Sequence, residues 1–168
     1  MSREFWLLRH GKSDRDLAVD DFDRPLKKRG KQDLKRLSAW LLEQKLAPDY
    51  LVSSPANRAL STIKIIQQEL ELTELNIVQD KRIYQESIER IKGVLAECPK
   101  DAKAVLLVGH NPELEHLLIN LVGVGELPDR EKILPTSTLV RMNLPDDWSH
   151  LEAECATLLS ISYVKQLV

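Results

Sequence analysis

Two histidines and two arginines lie beside the points where predicted elements of this chain begin or end. Arg9 and His10 directly follow an apolar run near the N-terminus, and His110 follows a second apolar run. Arg58 comes shortly after Ser54, a residue type that caps helices well. Guanidinium groups bind phosphate oxygens through paired hydrogen bonds, and a neutral imidazole can act as a nucleophile. These residue types therefore predict a site that binds an oxyanion and attacks it.

Short apolar runs alternate along the chain with amphipathic segments, and this order predicts the fold. The predicted strands are residues 5–8, 50–53, 76–79 and 104–108. The predicted helices are residues 28–44, 55–70, 88–98 and 113–122. Residues 138–144 and 149–161 are predicted to form an antiparallel hairpin. The order indicates an α/β fold with three layers, α/β/α, whose mostly parallel sheet has the antiparallel hairpin at its edge.

The predicted elements would bring the four residues to one place. In open α/β folds, ligands bind outside the carboxyl ends of the strands, where Arg9, His10 and His110 are expected. Arg58 falls in the first turn of the helix that Ser54 is predicted to cap, where the helix dipole is already positive. An arginine there is favoured when an anion lies between it and the helix end. The alternative for either arginine is an exposed side chain in a screened position.

His10 is the candidate nucleophile of this site. If a backbone carbonyl holds the proton on its Nδ1, the Nε2 lone pair can attack phosphorus in line and form a phosphoimidazole. Arg9, Arg58 and His110 would neutralise the charge that develops on the equatorial oxygens during transfer. The scheme requires no metal ion and no other cofactor. The predicted activity is that of a metal-independent phosphatase.

Composition sets the broad class. The 168 residues are 43% hydrophobic and 30% charged, which is typical of one globular domain spanning residues 1–168. Lys and Arg number 24 against 26 Asp and Glu, so the formal net charge is -2 and nucleic acid or an anionic membrane is not expected as a partner. The sequence has no apparent leader or bilayer-spanning run, and two cysteines far apart predict neither disulfides nor a zinc site. We therefore expect a cytoplasmic protein.

The same residues belong to motifs whose order and spacing resemble the histidine phosphatase superfamily. These motifs are Arg9-His10-Gly11, Ser53-Ser54-Pro55 followed by Arg58-Ala59 and Thr62, and Val108-Gly109-His110-Asn111-Pro112. Segments similar to its small SixA-type phosphohistidine phosphatases are Leu7 to Ser13, Asp23-Arg24-Pro25-Leu26 with Arg29-Gly30, and Pro135-Thr136. The resemblance implies a phosphoglycerate-mutase-like fold, with His10 as nucleophile and Arg9, Arg58 and His110 around the phosphoryl group. It implies phosphohistidine on a protein as substrate, with small phosphate esters as the alternative.

Arg24 and Glu86 are further candidates, each with an alternative. Arg24 is either another phosphate contact or the partner of an acid in its own loop. Residues 84–87 read Tyr-Gln-Glu-Ser where SixA-like relatives often have Tyr-Glu-Ala-Ser, so the carboxylate of Glu86 is shifted by one position. Glu86 is thus either the general acid or a side chain out of reach. A phosphorus–nitrogen leaving group needs less acid assistance than an ester oxygen, so a weak acid favours phosphoramidate substrates.

Two other classes of function compete with the phosphatase. A metallohydrolase could use His10, His110, His116 and His150, but the His-Glu-x-x-His spacing of such sites is absent. A member of the superfamily that binds phosphoryl groups without turnover is the non-enzymatic alternative. It would bind phosphate or vanadate and release nothing from any substrate.

Overall fold

The computed structural model describes residues 3–167, which form four α-helices and six strands. In chain order these are β1 (Arg3–Arg9), α1 (Lys28–Glu43), β2 (Tyr50–Ser53), α2 (Asn57–Glu69), β3 (Ile77–Gln79), α3 (Ile88–Ala96), β4 (Ala104–Gly109), α4 (Glu113–Val122), β5 (Leu139–Leu144) and β6 (Thr157–Ser162). Among residues 3–167, no helix has the length and apolar content needed to cross a bilayer.

The strands form one sheet in the order β3-β2-β4-β1-β5-β6. β3, β2, β4 and β1 are parallel to one another, whereas β5 runs antiparallel to both β1 and β6. The predicted fold class is confirmed: helices cover a mostly parallel sheet whose edge is an antiparallel hairpin. Parallel strands are covered on both faces, which explains the continuous apolar runs in β1 and β4.

Alternate residues of β1 pack into the two halves of the core, one on each face of the sheet. Phe5 and Leu7 pack in the cluster that includes residues of α3 and α4, whereas Trp6 and Leu8 pack with α1 and α2. All four side chains are at most 1% exposed. Because successive side chains of a strand point to opposite faces of the sheet, β1 contacts both helical layers.

Two predicted boundaries are wrong. Ser54 does not cap α2, whose N-cap is Ala56, because the Ser54 hydroxyl lies 2.7 Å from Nε2 of His110 and accepts the Ala56 N–H. Residues 149–156 lie before β6 rather than inside it. The predicted cap of α3 is confirmed, since the Ser87 hydroxyl accepts the N–H of Arg90.

α1 approaches the loop after β1 so closely that a side chain at position 30 does not fit. A Cβ added to Gly30 would overlap the carbonyl oxygen of Lys12 and lie 2.9 Å from the Lys12 nitrogen. The same carbonyl accepts a hydrogen bond from the Lys27 N–H at 2.8 Å, and Ser13 forms an antiparallel bridge with Leu26. These contacts fasten the two ends of the loop that spans residues 12–26.

We expect Gly30→Ala to lower the free energy of unfolding by about 1–3 kcal/mol, because the new methyl group must displace backbone atoms. Without that clash, the same change in a helix would be stabilising by roughly 0.5–1 kcal/mol. Urea denaturation measures the difference. Gly125→Ala is the matched control, because no atom lies within 4 Å of the added Cβ. Equal or greater stability of Gly30→Ala would contradict the packing argument.

Candidate active site

The predicted site residues meet at the carboxyl ends of the central strands. Arg9 is the last residue of β1, and it pairs with Gly109, the last residue of β4. His10 and His110 therefore follow neighbouring strand ends, and their ring centroids are 5.1 Å apart. Arg58, in the first turn of α2, places its Nε 3.4 Å from Nε2 of His10. The structure brings all four side chains together.

His10 has a fixed tautomer. Its Nδ1 lies 2.8 Å from the carbonyl oxygen of Gly11, and a carbonyl only accepts, so Nδ1 carries the proton. The Nε2 lone pair then faces Arg58. Burial, with a smaller contribution from His110 and the arginines, holds the pKa of His10 well below its ordinary value of 6.5. The ring is neutral at physiological pH, and Nε2 is available as a nucleophile.

Arg58 is held by a residue that the sequence did not single out. Its Nη2 donates to Oδ2 of Asp21 at 3.0 Å, and its Nη1 donates to the Asp21 carbonyl at 2.6 Å. The Tyr84 hydroxyl donates to the same Oδ2 at 2.7 Å, and Arg24 forms an ion pair with Oδ1 at 3.4 Å. The hydrogen bond from Tyr84, followed by Arg58, keeps the pKa of Asp21 below its ordinary value. An ionised carboxylate thus lies against the arginines.

Arg9 and His110 keep unpaired nitrogens. Nη1 of Arg9 donates to the Leu134 carbonyl at 3.0 Å, which also accepts from Asn111, but the buried Nε of Arg9 has no partner among the described residues. Nε2 of His110 lies 2.7 Å from the Ser54 hydroxyl, and its buried Nδ1 is likewise unpaired. Burial, and then Arg58, lowers the pKa of His110 to about 3. Buried polar atoms without partners are rare, so these nitrogens indicate a ligand, which must supply an acceptor to the Nε–H of Arg9.

Thr62 connects the two elements that carry His10 and Arg58. Its buried hydroxyl accepts the Gly11 N–H at 3.0 Å and donates to the Arg58 carbonyl at 2.7 Å. The end of β1 and the first turn of α2 are therefore joined by one side chain. The sequence marked Thr62 as part of a motif, and the structure shows its positioning contact.

Comparison with known proteins agrees with this geometry. The family described as the histidine phosphatase superfamily (branch 1) matches residues 5–84, which include Arg9, His10 and Arg58. This match spans just under half of the chain. The match supports the resemblance seen in the sequence and the prediction of a phosphatase.

The chain is distant in sequence from its individual relatives and close in fold to several solved structures. An uncharacterized protein of Mycobacterium leprae is 26% identical over 148 residues, covering 84% of this chain and 88% of that protein. The protein histidine phosphatase SixA complexed with tungstate superposes with a TM-score of 0.82 at 20% identity, covering 98% of this chain and 99% of that one. A phosphoglycerate mutase from Bacillus anthracis gives 0.73 at 14% identity, covering 98% and 94%. The structural likenesses show a shared phosphoglycerate-mutase-like fold.

Arg24 and Glu86 have different positions in the structure. Arg24 forms an ion pair with Asp21, an acid of its own loop, as one of its two alternatives predicts. Because Asp21 also pairs with Arg58, Arg24 lies beside the site as well. Glu86 is exposed between Tyr84 and α3 and forms no hydrogen bond or ion pair among residues 3–167. Phosphate contact by Arg24 and acid catalysis by Glu86 stay predictions.

The other two histidines lie away from the site on the surface. His116 is exposed on α4 and His150 is exposed before β6. Within the described part of the chain, no group of three or more His, Cys, Asp or Glu residues could hold a metal ion. The histidine set that a metallohydrolase would need is therefore not assembled among these residues.

The lowered pKa values predict that both site histidines stay neutral well below pH 6.5. A lowered pKa means that the proton leaves at lower pH, so lowering the pH from 8 to 6.5 should leave both rings unprotonated. His110 should protonate only near pH 3. Ring resonances in an NMR titration of the ligand-free protein, assigned with His10→Gln and His110→Gln, measure this. A protonation midpoint at or above 6.5 for either ring would contradict the burial argument.

Asp21→Asn should tighten the binding of inorganic phosphate by about fivefold, because a charge that repels the anion is removed. The asparagine keeps the backbone carbonyl that Arg58 contacts. Isothermal titration calorimetry with phosphate measures the change. Asp23→Asn is the matched control, since Asp23 lies in the same turn and only its backbone forms hydrogen bonds. Weaker binding by Asp21→Asn would mean that the carboxylate chiefly holds Arg58 in place.

Proposed function

We propose that this protein is a phosphohistidine phosphatase of the SixA type, which acts on phosphorylated proteins through a covalent intermediate on His10. The observation that carries the proposal is the state of His10: its ring is buried and neutral, and its Nε2 lies 3.4 Å from Nε of Arg58. Arg9 has an unpaired Nε–H and His110 an unpaired Nδ1 in the same site. This arrangement supports attack on a phosphoryl group that the arginines hold.

The reaction has two displacements at phosphorus. In the first, the Nε2 lone pair of His10 forms a bond to phosphorus, the bond to the leaving nitrogen breaks, and that nitrogen takes the electron pair and a proton from solvent. In the second, water attacks the phosphoimidazole and gives a proton to solvent, and inorganic phosphate leaves as the P–Nε2 bond breaks and returns its electron pair to Nε2. The Gly11 carbonyl, which accepts from Nδ1, stabilises the positive charge on the ring in between.

Arg9, Arg58 and His110 act on the phosphoryl oxygens. Charge spreads over the three equatorial oxygens in the transition state, where fixed cationic donors stabilise it most. Arg9 and Arg58 are held at the ends of β1 and α2, so little reorganisation is needed when the charge develops. Binding of the dianion would also favour the protonated form of His110, because an opposite charge raises the pKa of an imidazole.

The leaving-group side favours a phosphoramidate. A general acid must hold a proton near neutral pH, yet the pKa of Asp21 is lowered and Glu86 is exposed without a hydrogen bond among the described residues. An ester oxygen leaving without a proton would have to depart as an alkoxide. The nitrogen of an imidazole is protonated far more readily, so phosphohistidine needs less help.

A panel of phosphohistidine peptide, phosphoserine peptide, phosphotyrosine peptide and sugar phosphates tests the proposal. We expect kcat/KM for phosphohistidine to exceed the others by at least tenfold. His10→Ala should abolish turnover and covalent ³²P labelling, whereas His116→Ala should retain both, because His116 is an exposed histidine outside the site.

The possible outcomes test the substrate assignment and the role of His10 independently. A preference for the esters would overturn the substrate assignment and leave the nucleophile in place. Covalent labelling that survives in His10→Ala would remove His10 from its role. Binding of phosphate without turnover of any member of the panel would identify a phosphoryl-binding module.

A further inference from the structure

A cavity of about 690 Å³ opens beside His10 and extends away from the paired histidines. Its walls come from the loop after β1, from α1, from the connection between α4 and β5, and from the turn after β6. Seven of its sixteen lining residues are Lys or Arg, and Asp33 is the one acid among them. Besides Arg9, the cations of this cationic groove are Lys12, Arg15, Arg29, Arg130, Lys132 and Lys165.

The concentration of positive charge is local. The whole chain has more acids than bases, with a formal net charge of -2. The six cations beyond Arg9 are exposed, and none forms an ion pair with another residue in the range 3–167. Like charges in a concave surface repel one another and focus the field, so the groove is a favourable place for an anion.

The groove has a defined wall. The guanidinium of Arg130 stacks over the ring of Tyr163 at 3.8 Å, and the Tyr163 hydroxyl donates to the Ile133 carbonyl at 2.9 Å. These contacts join the connection before β5 to the turn at Val164–Gln166, which carries Lys165. The cations therefore lie on a formed surface of the fold.

The phosphoryl group itself does not account for this surface. Arg9, Arg58 and His110 surround His10, whereas Arg29, Lys132 and Lys165 lie on other elements along the groove. A volume of about 690 Å³ is suited to a ligand much larger than phosphate. The distal cations are exposed and flexible, which suits an extended chain with several carboxylates better than one compact polyanion held by fixed, buried donors.

We propose that the cationic groove binds an acidic segment of the substrate protein, adjacent in that protein to the phosphohistidine. The inference rests on the proposed function, because it names the partner that the site beside His10 receives. The groove supplies affinity and selects among phosphoproteins, while the chemistry stays with His10 and its neighbours. Such contacts lower KM and leave kcat nearly unchanged.

Two double variants test the groove. Lys132→Gln/Lys165→Gln removes two cations from its wall, and Lys35→Gln/Lys64→Gln removes two exposed cations that lie outside it. Both change the net charge equally, so they affect long-range attraction alike. The substrates are two phosphohistidine peptides, one flanked by four Asp or Glu residues and one by neutral residues, with phosphoimidazole as the small reference.

For the groove variant, we expect kcat/KM on the acidic peptide to fall about tenfold through KM, since each exposed contact contributes modestly. Activity on the neutral peptide and on phosphoimidazole should be unchanged, and the control variant should resemble the wild type throughout. Equal losses in both double variants, or the same kcat/KM for both peptides with the wild type, would overturn the proposal.

A binding measurement separates this inference from the proposed function. Fluorescence anisotropy with the acidic peptide lacking phosphate reports on the groove without catalysis, and the groove variant should bind about tenfold more weakly. If phosphohistidine is not hydrolysed but this binding difference holds, the proposed function fails and the groove remains. If turnover is normal but the binding difference is absent, the groove proposal fails alone. Inorganic polyphosphate that binds a hundredfold more tightly than the peptide would also overturn it.

Discussion

The parallel pairing of β1 with β4 sets the geometry on which the candidate active site depends. The pairing continues one residue beyond the strands, where the His10 N–H donates to the Gly109 carbonyl at 3.1 Å, and His110 comes next in the chain. A slip of one residue in this register would send one imidazole to the opposite face of the sheet. The apolar residues on both faces of β1 oppose such a slip, since each face packs against its own pair of helices. The packing of the sheet centre therefore determines the distance between the two rings.

The two kinds of nitrogen base in the site are both buried but differ in charge. Burial makes the charged form of an imidazole costly, and the neighbouring arginines add to that cost, so His10 and His110 are neutral. The guanidinium groups keep their charge because their intrinsic basicity is far higher. The result is a neutral nucleophile surrounded by permanent cations. A phosphoryl dianion complements that arrangement, because its oxygens supply the acceptor that the unpaired Nε of Arg9 lacks.

Much of this could be predicted from the sequence because the signals are local. Apolar runs and helical spacing gave the order of elements, and the residues after the strands gave Arg9, His10 and His110. Asp21 was missed because five acids, residues 14, 16, 20, 21 and 23, lie in one aperiodic loop, and only the folded chain shows which of them meets Arg58. The predicted helix start at Ser54 was wrong because a contact with His110, distant in sequence, uses its hydroxyl.

The cationic groove could not be predicted from the sequence for a different reason. Its cations come from segments far apart in the chain, among many acids that face elsewhere, and the net charge averages over all of them. Composition therefore describes the molecule as a whole and is silent about the distribution of charge on its surface. Only the topology brings these residues to one side of His10.

The carboxylate of Asp21 also affects which anions bind weakly in the site. Cells contain many carboxylic acids at high concentration, and each could bind to a pair of arginines. In this protein such a ligand would replace a carboxylate that is already tethered in place, so it would exchange one singly charged partner for another and gain little. A doubly charged phosphoryl group gains more from the same exchange. The loop that carries Asp21 can thus favour the binding of phosphoryl groups over that of common carboxylic acids.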